Sequence, residues 1–159
     1  MVRRKKRTDY EFRTDIQKIE SQWIKLSGLH GQDEWSAVVL RAATAAEIAA
    51  NFVIRQEFRK LSKFSPEFVD KLLVWANGLD GKMNKLILPM MAEDERLGKF
   101  KELSKIGASI FAKRNKIAHQ GVFTKKKESE IIIADCKKFV EEMVGFYEED
   151  FMLSDKSAE

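Results

Sequence analysis

The sequence predicts an all-α protein, a single bundle of about five or six helices. Three observations carry this. Apolar residues recur at three- and four-residue spacing along most of the chain. Valine and threonine nowhere alternate in strand-like runs, and the longest apolar stretch is rich in alanine, the best helix former. Pro66 and Pro89 are the only prolines, and no repeat or linker divides the 159 residues, a length that supports one domain with a real core.

The elements follow in order. Residues 8–28 read as a helix through Phe12, Ile16, Ile19, Trp23, Ile24 and Leu26. "SGLHGQD" breaks it at Gly28 and Gly31, which makes His30 a loop residue. The longest helical pattern spans 33–61 and contains "RAATAAEIAANFVIRQEF", whose small side chains let a neighbour approach closely. Thr44, Glu47, Asn51 and Arg55 recur along it as a polar stripe, either a solvent face or one wall of a polar site to which Glu47 or Asn51 contributes.

A helix starts cleanly at "FSPEF", with Ser65 as cap, Pro66 in the first turn and Phe64 able to staple onto Val69. Asn77-Gly78 ends it. A short helix follows through Leu88 and is stopped or bent by Pro89. The next runs from about Glu93 to Ala118, and the last from about Lys126 to Phe151. On the last, Ile132, Cys136, Phe139, Val140, Met143, Phe146 and Tyr147 share a face, which makes the single cysteine a core residue rather than a nucleophile.

Composition limits the function classes. With 44% apolar and 34% charged residues, the chain reads as soluble and globular. No apolar run is read as long enough to cross a membrane, and "MVRRKKR" lacks the apolar segment of a secretory signal. One cysteine excludes an intramolecular disulfide and suits a reducing, cytoplasmic setting. Without a Cys/His cluster, neither a metal site nor a cofactor is expected. The net charge of +4 is carried by residues 1–7, where five basic residues gather; without them acidic residues outnumber basic ones by one. This basic tail is either solvated chain or an arm that seeks phosphate. Residues 8–32 read as an N-terminal helical extension, 33–153 as the bundle and 154–159 as a polar tail.

One residue breaks the pattern. In "AKRNKIAHQG" at 112–121, Arg114 lies along the stripe made by Phe100, Leu103, Gly107, Ile110, Phe111, Ile117 and Ala118. A buried guanidinium needs a carboxylate, a wet interface or an anionic ligand. Glu47 is the carboxylate that would satisfy it without any function. His119, five residues on, lies about 140° around an ideal helix. The two side chains therefore meet only if the helix ends or bends before His119, or across a subunit interface. Gly121 suits a helix end, and Asn115, four residues before His119, is placed to orient the imidazole.

"RNKIAH" resembles the Arg-x4–6-His motif of the HEPN superfamily, compact α-helical bundles that are usually homodimers. Arg114, the polar Asn115 that follows it, and His119 match the motif, and "HQG" continues it in a way common in the family. The resemblance covers about residues 33–151. It implies a metal-independent endoribonuclease, often the toxin of a toxin–antitoxin pair or part of antiviral defence, whose partners are RNA, a second copy of the chain and a cognate antitoxin protein. It equally admits a non-catalytic module that binds nucleotide, RNA or protein through the same cleft.

The chemistry needs these residue types. RNA carries its own nucleophile, the 2′-hydroxyl; an imidazole can move its proton, and a guanidinium can stabilise the charge that builds on phosphorus oxygens. A two-fold dimer would supply both an acid and a base from one histidine per chain. Lys113, Lys116, Lys125, Lys126 and Lys127 lie nearby in sequence and either guide the RNA backbone or are ordinary solvated lysines.

Overall fold

The computed structural model describes residues 8–61 and 63–154. The basic tail at 1–7 and most of the polar C-terminal tail lie outside the described residues. The described chain is all helical, as the composition predicts, without a strand among the described residues. A 3₁₀ turn at Tyr10–Phe12 leads into six helices. These are α1 (Asp15–His30), α2 (Trp35–Leu61), α3 (Pro66–Trp75), an irregular α4, α5 (Leu97–Gln120) and α6 (Lys126–Gly145). Helix α4 joins Gly78–Gly81, a π-helical stretch Lys82–Ile87 and a last turn Leu88–Met90.

Helix α2 is the spine. Ala42, Ala45, Ala46, Ala49 and Ala50 are fully buried, and their small side chains let α1 and α6 pack closely on it. Trp23 from α1, Phe100 from α5 and Phe139 from α6 fill the largest core volumes. Because Ile19, Trp23 and Leu26 belong to that same cluster, the 8–32 stretch is built into the bundle. The expectation that no segment is long and apolar enough to cross a membrane needs correction. By length and composition α2 qualifies, with a mean hydropathy of 1.6 over its most apolar window, because alanines count toward hydropathy as well as toward close packing. In the structure the apolar side of α2 is spent on its neighbouring helices.

Several boundaries move for local reasons. The first helix begins at Asp15 rather than at residue 8, because Thr14 accepts from Gln17 N–H and Gln17 returns a bond to Thr14 N–H, a reciprocal cap. His30 is the last residue of α1, not a loop residue, and its ring meets Trp35 edge-on at 5.1 Å. Ser65 does cap α3, accepting from Phe68 N–H at 3.2 Å, with Pro66 in the first turn; such a cap contributes about 1 kcal/mol. Phe64 stacks on Phe68 with ring centres 5.0 Å apart.

Helix α5 starts at Leu97, not Glu93. The Asp94 carboxylate accepts from Arg96 N–H at 2.8 Å, a local turn that competes with helix. The final helix ends at Gly145, short of Phe151, although Phe146, Tyr147 and Phe151 still pack on the core. Pro89 does not stop α4 at once, and the helix runs on to Met90. A proline ring offers no N–H and crowds the carbonyl one α-turn back, and the stretch that precedes it, Lys82–Ile87, is π-helical.

Candidate active site

The buried stripe of α5 runs out before its end. Phe100, Leu103, Gly107 and Ile110 are buried, whereas Phe111, Arg114 and Ile117 are half-buried and Ala118 and His119 exposed. The last turns of α5 therefore project past the core, and Arg114 is not sunk in apolar side chains as the helical wheel implies. It looks into a cleft of about 270 Å³ between the end of α5, the middle of α2 and the Asn77–Gly78 turn. Arg114, Asn115 and His119 line it on one side, Thr44 and Glu47 on another.

The helix ends as Gly121 predicts. Gly121 takes a left-handed φ of 63°, and Val122 N–H donates back to the Lys116 carbonyl at 3.3 Å, closing the last turn. Across the cleft, Gly78 has φ 72°, and a Cβ there would come within 3.2 Å of the Phe111 ring. Only glycine lets the chain turn while lying against Phe111. Asn-Gly marked the end of a helix in the sequence; that it also forms a cleft wall was not visible there.

Arg114 and His119 do come together, but not in the way the wheel requires. Helix α5 continues through both to Gln120, within one chain, and Arg114 Nη1 still lies 3.3 Å from His119 Nε2. The guanidinium sits far out on a flexible stem, so the angle between Cα positions does not limit its reach. The same Nη1 donates to Asn115 Oδ1 at 3.0 Å. Asn115 thus steadies the arginine rather than the imidazole, contrary to the spacing argument. A guanidinium only donates, so a hydrogen bond across this contact needs the His119 tautomer with its proton on Nδ1 and Nε2 as acceptor.

The purely structural pairing of Arg114 with Glu47 does not occur. Glu47 instead accepts from Lys82 Nζ at 2.8 Å, and among the described residues no carboxylate pairs with Arg114. Lys82, on the π stretch of α4, is 4% exposed at its side chain. It pins a carboxylate at the cleft wall from beneath. Lys82 escaped the sequence reading, and only the irregular helix that presents it explains its burial. Asn51 is further along the polar stripe, in a neighbouring depression with Glu47 and Arg55, outside the Arg114 cleft. Its Oδ1 is buried without a hydrogen-bond partner.

The lysines separate into distinct roles. Lys113 is tied to Glu128 at 2.9 Å, linking α5 to α6, and this pairing lowers the Glu128 carboxyl below its ordinary range. Lys126 lies 5.8 Å over the Trp35 ring. Lys116, Lys125 and Lys127 are exposed. None of the five lines the Arg114 cleft. A separate polar knot, also absent from the sequence reading, joins α2 to the segments flanking α5 and α6: Arg96 binds Asp94 and Glu57, and Tyr147 donates to Glu57.

The comparisons add no relative: no family model, no curated protein and no solved structure matches the chain.

Proposed function

We propose that the chain is a metal-independent endoribonuclease of HEPN type, acting as a homodimer on RNA in toxin–antitoxin or antiviral systems. The observation that carries this reading is the Arg114–His119 pair, 3.3 Å apart at the wall of a cleft, with the arginine held by Asn115 and unmatched by any carboxylate among the described residues. A charged donor kept beside an imidazole, with no neutralising carboxylate among the described residues, suits an anionic ligand.

In the proposed reaction a phosphodiester enters between the two side chains. His119 Nε2, already an acceptor, takes the proton of the 2′-hydroxyl as the O2′–P bond forms. Arg114 turns its N–H groups to the phosphoryl oxygens, where negative charge grows. The P–O5′ bond breaks, and the leaving oxygen takes a proton from a second acid. Each chain offers one imidazole at this cleft, so a second copy supplies that acid in the dimer. The products are a 2′,3′-cyclic phosphate and a 5′-hydroxyl.

The test is cleavage of single-stranded RNA in EDTA. Wild type should cut and leave cyclic phosphate ends. His119→Ala should lose about 10²–10⁴-fold in rate, and Arg114→Lys, which keeps charge but loses the planar fork, should also be strongly impaired. Cleavage that persists in His119→Ala or requires added magnesium would sink the proposal. A binding module that uses the same cleft without catalysis is the second reading. It is favoured by the make-up of the cleft, whose lining holds one imidazole, while Glu47, the one carboxylate in that lining, is tied to Lys82, so the second acid is missing from a single copy among the described residues.

A further inference from the structure

The loop that leaves the Arg114–His119 helix holds one aromatic ring out in solvent. Phe123 is 89% exposed, yet the backbone on both sides of it is tied down. Before it, Val122 N–H donates to the Lys116 carbonyl at 3.3 Å. After it, Thr124 N–H donates to Ser36 Oγ at 3.0 Å, and Thr124 itself is buried. A ring on a loose loop can fold back onto apolar surface. Here the backbone on either side is anchored and the ring stands exposed.

We propose that Phe123 is a stacking platform for an unpaired base of single-stranded RNA whose backbone continues to the Arg114–His119 cleft. The substrate class rests on the ribonuclease reading. Phe123 follows His119 by four residues, so their Cα atoms are at most about 15 Å apart. A flexible strand spans that distance in a few nucleotides. Lys125, Lys126 and Lys127 follow beyond the buried Thr124 and are exposed, Lys126 lying over the Trp35 ring. An aromatic face beside a short run of cations is the combination that holds single strands, the ring taking a base and the ammonium groups the phosphates. A second copy of the chain is the poorer occupant. A ring seated against a second copy would bring Lys125, Lys126 and Lys127 beside that interface, and unpaired cations at an interface oppose burial there.

The experiment measures binding of the full chain to a 2′-O-methyl single strand, which cannot be cleaved by 2′-hydroxyl attack, by fluorescence anisotropy over a range of salt. Phe123→Leu keeps an apolar side chain but removes the aromatic face. It should weaken binding about 5- to 150-fold with an unchanged salt slope, since the phosphate contacts remain. Phe123→Trp should retain affinity, and a strand of the same length made of abasic units should bind wild type and Phe123→Leu alike. Unchanged melting of both variants excludes misfolding. Equal affinity of wild type and Phe123→Leu for the base-bearing strand overturns the proposal, as does failure of wild type to bind any single strand. Loss of self-association without RNA, with strand affinity intact, would place the ring between copies instead. Phe123-dependent binding by a wild type that never cleaves RNA would overturn the ribonuclease reading and leave the stacking platform standing.

Discussion

Arg114 Nη1 lies 3.3 Å from His119 Nε2 although both residues sit on one unbroken helix, five positions apart. The contact uses the arginine as donor and the imidazole as acceptor, so it exists only while Nε2 carries a lone pair. Protonating His119 would set two cations side by side and break it.

Asn115 should matter through Arg114. Its Oδ1 accepts from the same Nη1 that meets His119. Asn115→Ala removes one hydrogen bond to a charged group, worth about 1.5–3 kcal/mol in a buried setting and less at this half-exposed one. Cleavage should fall by about tenfold at an unchanged melting temperature. A variant as inactive as His119→Ala would mean that Asn115 takes part in the chemistry directly.

The composite dimer can be tested by complementation. His119→Ala and Arg114→Ala should each be inactive alone. Mixed and allowed to exchange subunits, they form some dimers that keep one Arg114 and one His119 at the shared cleft, and a little activity should return. Strictly monomeric behaviour at micromolar concentration by light scattering would remove the basis for a shared site.

The Lys82–Glu47 pair should respond asymmetrically. Lys82 is 4% exposed and Glu47 37% exposed at the side chain. Glu47→Ala strands a buried ammonium, and the loss should approach about 3 kcal/mol, near the low end for broken buried pairs because water reaches the Glu47 side. Lys82→Met leaves a carboxylate that water can solvate and fills the buried volume, so it should cost much less. Urea midpoints of the two variants decide this; equal losses would mean that the pair behaves as a surface one.

Acid stability should depend on the Arg96 knot. Hydrogen bonds from the Arg96 side chain and backbone hold the Asp94 carboxyl well below its usual range. Burial works against the Glu57 charge, but hydrogen bonds from Tyr147, Lys60 and Arg96 outweigh it and leave that group lowered too. A depressed folded pKa means that the contribution is complete above the unfolded value, about 3.9 for Asp and 4.3 for Glu. It is lost as pH falls through the folded value. Asp15 acts in the opposite sense, since burial raises it despite Arg55. Wild type should therefore lose stability between pH 4 and 2 more steeply than Asp94→Asn, as read from urea midpoints. Parallel slopes would count against the assignment.

The fold class was legible because helical periodicity and alanine content act locally, residue by residue. The cap at Ser65 and the left-handed Gly121 were legible for the same reason. The start of α1 at Asp15 was missed, because Phe12 extends the apolar spacing upstream of the Thr14–Gln17 cap that sets the boundary. Arg114 and His119 stood out in the sequence, whereas their contact did not. A helical wheel places Cα atoms and says nothing of where a long side chain ends. Lys82 was hidden by a different cause. Its burial depends on the π turn that precedes Pro89, and on Glu47, thirty-five residues earlier, being there to receive it.

Cys136 is the chain's only thiol and is completely buried, and burial also pushes its pKa up, so the reactive thiolate is scarce even if a reagent arrives. Two consequences follow for anyone handling the protein. A thiol dye added to the native protein becomes a clock, since each labelling event must wait for the core around α6 to open. And because the described surface carries no competing thiol, a cysteine placed at Lys116 or in the 121–125 loop would be the one fast-reacting handle, a single address at which to attach a probe beside the cleft.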